Sequence, residues 1–124
     1  MGTIKNAFGF KLDSWHNTST PEAKNNASAD PKYSNRRING KFEWEQNAFG
    51  SFYSSNNAGR VTTSSSAAKS LNPAPSGQWV DFKIEYDENK NFTVTYGSQT
   101  WTTNLKNANT SIMTTDAKNA LTKN

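Results

Sequence analysis

Hydrophobic and polar residues alternate in several parts of the chain, as they do in β-strands that bury one face. The first part is FGFKLD (8–13), whose apolar residues alternate with Gly9, Lys11 and Asp13. A second part, FEWEQNAFGSFY (42–53), is rich in aromatic residues and contains Gly50, which indicates a bulge or a close approach of neighbouring chain. Both stretches are predicted to form strands.

The clearest alternation is WVDFKIEYDENKNFTVTYGSQTWTTNL (79–105). It predicts a β-hairpin with its turn at 87–91 and, after a second turn at Gly97-Ser98, a third strand of an antiparallel meander. The short stretch 61–63 predicts one more strand, and residues 64–77 are predicted to be a loop.

Two stretches show no strand pattern. Residues 17–41 form a long polar excursion, and loops of that length usually carry a function or are mobile. Residues 111–124 contain one weak apolar pair and are predicted to fray, so we find no long helix.

Asn, Ser and Thr together account for 45 of the 124 residues, and they favour turns and pleated surfaces. The prediction is a single all-β domain.

Composition narrows the classes of function. The chain lacks cysteine, which excludes disulfides, thiolate nucleophiles and cysteine zinc sites. The net charge of +4 is dispersed, with Arg36-Arg37 as the only basic doublet, so no nucleic-acid partner is predicted. No apolar stretch is long enough for a signal peptide or a membrane span, so we expect no membrane insertion. If the parent protein is exported, its signal lies outside this chain.

The loop after the first strand concentrates candidate chemistry in Asp13, Trp15, Asn17 and Asp30. Positions 13, 15 and 17 fall on one side of an extended segment. Calcium takes oxygen ligands from carboxylates, amide side chains and backbone carbonyls, and this loop offers each kind. Local sequence alone favours the simpler interpretation, a surface loop that is rich in turn-forming residues.

The stretches AFGFKLDSWHNTS (7–19), ADP (29–31) and WVDFKIEYDENKNFTVTYGSQTWT (79–102) resemble the L-type, legume-like lectins. They are most similar to the modules in cell-wall-anchored adhesins of Gram-positive bacteria. The resemblance implies a concanavalin A-like antiparallel jelly-roll β-sandwich. It also implies that 1–124 is one incomplete lectin-like domain, without its upstream strands and its closing C-terminal strand.

By the same resemblance, one calcium ion is held by the carboxylates of Asp13 and Asp30, the backbone carbonyl of Trp15 and the side-chain oxygen of Asn17. The ring of Trp15 stacks on the sugar, and the amide of Asn17 donates to a sugar hydroxyl. The plant lectins have a glutamate at the position of Lys11 that serves a second metal ion. A cation there opposes such an ion, so we expect no transition metal.

Three further expectations concern residues around the expected calcium and sugar site. Thr115 and Asp116 resemble part of the family's last sugar-facing loop. Arg36 and Arg37 are hypothetical contacts for an anionic sugar such as a sialic acid, and the simpler alternative is two solvated loop arginines. His16, alone between the ligand positions, is expected to be solvated.

The predicted function is calcium-dependent binding of glycans on glycoproteins or cell surfaces during bacterial adhesion, without catalysis. The expected location is extracellular, at the cell surface or cell wall, within a larger precursor. One alternative is a spacer sandwich that is stabilised by calcium and binds no sugar. Another is a glycoside hydrolase that uses Glu43 and Glu45 as paired carboxylates, although FEWEQ lacks the tighter acidic pattern of such enzymes.

Overall fold

The computed structural model describes residues 4–15, 30, 35–39, 41–44 and 47–123. These residues form strands and one short helix. The strands are β1 (Phe8–Asp13), β2 (Asn35–Ile38), β3 (Lys41–Trp44), β4 (Phe49–Ser55), β5 (Val61–Thr63), β6 (Lys69–Ser70), β7 (Phe82–Tyr86), β8 (Asn91–Tyr96) and β9 (Gln99–Asn104), and the helix is α1 (Thr115–Leu121).

Every strand pairing is antiparallel. Strand β4 lies at the centre of the first sheet, where it pairs with β1, β5 and β6. Strands β7, β8 and β9 form a second sheet in sequence order, and β2 pairs with β3 as a separate hairpin. The chain is therefore an all-β sandwich, as the alternation of apolar and polar residues predicted.

Aromatic rings fill the space between the first and second sheets. Phe8 and Phe10 of β1 and Phe52 of β4 point toward the second sheet, where their rings contact Phe92 and Trp101 at centroid separations of 4.8 to 5.9 Å. Such edge-to-face contacts add to the free energy gained by burying the rings. Side chains 40 to 91 residues apart in sequence thus form one core.

A smaller apolar cluster closes one end of the sandwich. It consists of Leu105, Ala108, Met113 and Ala117, and Phe8 and Phe92 pack against it as well as against the main core. The cluster anchors α1, which begins after the N-cap Thr114. The hydroxyl of Thr114 accepts a hydrogen bond from the backbone N–H of Ala117 and so satisfies one of the free donors at the helix start.

The predicted hairpin and meander are confirmed as β7, β8 and β9, and the predicted strand at 8–13 is confirmed as β1. Three expectations were wrong. The polar excursion 17–41 contains β2 and the start of the β2–β3 hairpin, and the final stretch forms α1 instead of fraying. The stretch 64–77 also contains the two-residue strand β6, which pairs with β4.

The apolar face of β1 ends earlier than its alternation indicates. Leu12, in phase with Phe8 and Phe10, is 40% exposed because it lies near the end of the strand, beyond the main aromatic core.

Gly50 is the site of close approach that its position suggested. A Cβ atom there would lie 2.8 Å from Cζ of Phe10 and 3.0 Å from Cζ2 of Trp101.

Candidate functional site

Two of the predicted calcium ligands, Asp13 and Asp30, converge on one side chain, that of Lys11. The Lys11 Nζ lies 2.9 Å from Oδ2 of Asp13 and 2.6 Å from Oδ1 of Asp30. Lys11 and Asp13 alternate along β1 and so lie on the same face of the strand, as the period of two requires. Asp30, 17 residues further along the chain than Asp13, is brought to the same point.

The cluster lies on the face of the first sheet that is opposite the aromatic core. Asp13 pairs with Phe49 of β4, and the Lys11 ammonium lies over the Phe49 ring, 5.0 Å from its centroid. Phe49 is fully buried, and only 5% of the Asp30 side chain is exposed. The charged groups are therefore partly withdrawn from water, which strengthens their mutual attraction.

Trp15 lies beside this cluster and is turned toward solvent. Its backbone N–H donates a 2.9 Å hydrogen bond to Oδ1 of Asp13, a local turn that fixes the backbone just after β1. The side chain of Trp15 is 74% exposed. Trp15 follows Asp13 by two residues, so an exposed indole with a flat apolar surface lies close in the chain to a hydrogen-bond acceptor, a pairing that suits recognition of a sugar ring.

The chemistry of this pair fits a hard cation. Asp13 and Asp30 both accept from one ammonium group, so their oxygens already converge on a single positive charge. Carboxylate oxygens are also the ligands that calcium prefers. Within the described residues, no group of three or more His, Cys, Asp or Glu side chains that could hold a metal ion gathers in one place.

Several predicted site residues lie outside the part of the chain whose side chains the structure describes. Asn17 and His16 lie outside the described residues, as does Glu45. Arg36 and Arg37 lie in β2, where they pair in register with Glu43 and Phe42 of β3. The structure thus replaces the expected loop around the two arginines with a hairpin.

The structure separates Thr115 and Asp116 from Asp13 and Trp15. Both lie in the first turn of α1, and Oδ2 of Asp116 accepts a 2.9 Å hydrogen bond from the backbone N–H of Asn57. Asn57 follows β4, at the end of the sheet where Asn6 and Asn56 meet. Asp13 lies at the other end of β1, roughly 20 Å away at the usual rise per residue. One sugar ring cannot contact both groups.

Lys11 is the residue whose role the sequence only partly revealed. Its place on the polar face beside Asp13 is visible in the alternation of β1. Its contact with Asp30 depends on the path of the chain after β1, for which the sequence carries no local signal. The structure makes Lys11 the centre of the candidate site rather than a neighbour of it.

Known proteins similar to this chain are adhesins. A protein named serine-rich adhesin for platelets, from Staphylococcus aureus, is 44% identical over 112 residues. The proteins of the same name from strains MRSA252 and MSSA476 are 41% and 40% identical over 112 residues. Each match includes 85% of this chain.

These relatives are much longer than the chain, which spans 4%, 8% and 4% of their respective lengths. No protein-family model matches the chain. Among the described residues, no helix is long and apolar enough to cross a membrane.

Proposed function

We propose that this chain is a glycan-binding module of an adhesin and that calcium organises its binding site. The observation that carries the proposal is the convergence of Asp13 and Asp30 on one point, with the exposed Trp15 hydrogen-bonded to Asp13 through its backbone N–H. The similarity to proteins named as adhesins for platelets supports a role in adhesion to host cells. The corresponding location is extracellular, at the surface of the cell.

In this proposal, the two carboxylates supply most of the negative charge that holds calcium. The backbone carbonyl of Trp15 and the side chain of Asn17 are the proposed neutral ligands, and water supplies the rest of the shell. The Trp15 indole provides an apolar platform for the carbon-bound hydrogens of a pyranose. Bound calcium would fix this loop, so that the indole and the Asn17 amide present one rigid surface to the sugar.

The proposal assigns no catalytic step to the chain. A retaining or inverting glycosidase needs two carboxyl groups on either side of the scissile bond. The sequence around the candidate pair Glu43 and Glu45 lacks the tighter acidic pattern of such enzymes, and Asp13 and Asp30 both bind the Lys11 ammonium. We therefore propose that the chain holds a sugar without cleaving it.

Titration calorimetry with calcium and then a glycan array test the proposal. The wild-type chain should bind calcium, and Asp13→Asn and Asp30→Asn should each abolish the binding heat because each removes one negative charge from the ion. Asp81→Asn is the matched control, since Asp81 is exposed and precedes β7. Binding of array glycans should require calcium and should be lost in Trp15→Ala.

Three results would count against parts of the proposal. Absence of calcium binding in the wild-type chain would refute the calcium site. Calcium binding with no signal on the array would favour the spacer role, in which calcium only stabilises the sandwich. Glycan turnover that is lost in Glu43→Gln would restore the hydrolase alternative.

A more specific part of the proposal is that the bound sugar is anionic. Arg36 and Arg37 are consecutive in β2 and add two positive charges to the hairpin. Replacing both with alanine should weaken binding of sialylated glycans while leaving neutral glycans unaffected. Equal binding of both classes by wild type and the double variant would show that the arginines make no sugar contact.

A further inference from the structure

Lys11 places a positive charge at the point where the two proposed calcium ligands meet. Its Nζ contacts one oxygen of Asp13 at 2.9 Å and one oxygen of Asp30 at 2.6 Å, both within the range of charge-assisted hydrogen bonds. The same ammonium lies over the ring of Phe49, which adds a cation–π contact. Lys11 is therefore held on three sides by groups that attract a cation.

Burial explains why a cation is needed at this point. Only 5% of the Asp30 side chain and 20% of the Asp13 side chain are exposed. Two carboxylates that approach one another away from water repel each other unless a positive charge lies between them. The Lys11 ammonium supplies that charge, and its side chain is tethered to β1 and so cannot diffuse away.

We infer that Lys11 is a built-in competitor of calcium, an inference that rests on the calcium site proposed above. Calcium would use the carboxylates that Lys11 already binds. To enter, the ion must displace the ammonium or bind beside it against its positive charge. Both routes weaken calcium binding relative to the same pair of carboxylates without a lysine.

Two consequences follow for the protein. First, the metal-free chain keeps Asp13 and Asp30 together, because the ammonium takes over part of the role of the ion. Second, calcium binds more weakly than it would to the same carboxylates without the lysine, because calcium affinity depends on the charge of the ligand set. The site would then tolerate the absence of calcium without unfolding.

Calorimetry on the metal-free full chain and its variants tests this inference, with calcium chloride as the titrant. Lys11→Met removes the charge and keeps most of the side-chain length. It should bind calcium roughly tenfold or more tightly than wild type, because one nearby positive charge is gone. Lys11→Gln, which can still donate a neutral hydrogen bond to a carboxylate, guards against loss of folding and should change the affinity in the same direction.

Two further variants serve as controls. Lys11→Arg keeps the charge and should remain close to wild type in calcium affinity. Lys106→Met removes an exposed positive charge in the turn after β9 and should also leave the affinity unchanged. A second readout is the melting temperature in chelator and in excess calcium. The increase on adding calcium should be larger for Lys11→Met than for wild type, since tighter binding stabilises the folded state more.

The outcomes separate this inference from the proposed function. If wild type binds calcium and neither Lys11→Met nor Lys11→Gln binds it more tightly, the competitor role is refuted while the calcium site stands. If the variants bind and wild type does not, the competitor role is supported and calcium dependence of the natural chain is refuted. If none of the proteins binds calcium, both ideas are overturned.

Discussion

Asp30 is a charged residue whose side chain is almost buried, and such a position requires compensation. Lys11 provides it through a 2.6 Å contact, and the calcium proposed for this site would provide it more strongly. The family resemblance predicted Asp30 as a calcium ligand, and that role stays a prediction. The contact of Asp30 with Lys11 was not predictable. Asp30 lies 17 residues after Asp13, and the sequence does not show from which direction the chain returns to β1.

Gly50 gives a prediction at the scale of a single residue. A methyl group there would press on the rings of Phe10 and Trp101 and come within 3.2 Å of Leu71 Cδ2. Gly50→Ala should therefore destabilise the sandwich by about 1–3 kcal/mol, the usual cost of overpacking a core. Urea unfolding monitored by circular dichroism measures this cost. A variant as stable as wild type would mean that the rings move apart freely.

Among the elements, the turn between β7 and β8 is organised by Asp87. Its Oδ1 accepts hydrogen bonds from the backbone N–H groups of Asn89 and Asn91, and its Oδ2 accepts one from the Asn91 side chain. These bonds favour the ionised carboxylate. The hydrogen bonds from Asn91, above all from its backbone, hold the pKa of Asp87 below its usual value of 3.8.

This lowered pKa predicts a pH dependence of stability. Because the folded-state pKa lies below the unfolded one, the contribution of Asp87 is present above the unfolded pKa and is lost as the pH falls through the folded value. Asp87→Asn should therefore flatten the fall of the melting temperature below about pH 4. Glu88→Gln is the control for loss of one negative charge from the same turn. An unchanged pH profile in Asp87→Asn would contradict the assignment.

The elements that the sequence missed share a physical cause. Strand β2 has no apolar alternation to mark it, since NRRI is short and partly charged. Helix α1 spans only seven residues and has one buried residue, Ala117, so its amphipathic pattern is too weak to detect. Strand β2 is set by its pairing with β3, and α1 by contacts outside its own sequence, such as the hydrogen bonds from Thr114 to Ser54 and Ser55.

At the scale of the whole molecule, Phe8 and Phe92 join the two apolar clusters into one core. The sandwich should therefore unfold as a single unit. Val94→Ala, in the main cluster, should destabilise it by about 2–3 kcal/mol. Met113→Ala, in the smaller cluster, should destabilise it by about 2–5 kcal/mol.

In both variants, tryptophan fluorescence and far-ultraviolet circular dichroism should report the same midpoint. Trp101 is 2% exposed in the main cluster, so its emission reports on the opening of that core. Two separate transitions in Met113→Ala would show that the smaller cluster and α1 unfold independently. That result would contradict a single cooperative core.

The sequence by itself determined the all-β class, the β7–β9 meander and the polar face of β1 that carries Lys11 and Asp13. Each follows from a local period of two, which needs no knowledge of distant residues. The tertiary structure alone decided that Lys11 bridges Asp13 and Asp30, and that Asp116 lies at the far end of the sheet. Those relations join residues far apart in the chain, and only the packing of the sheets and loops fixes which of them meet.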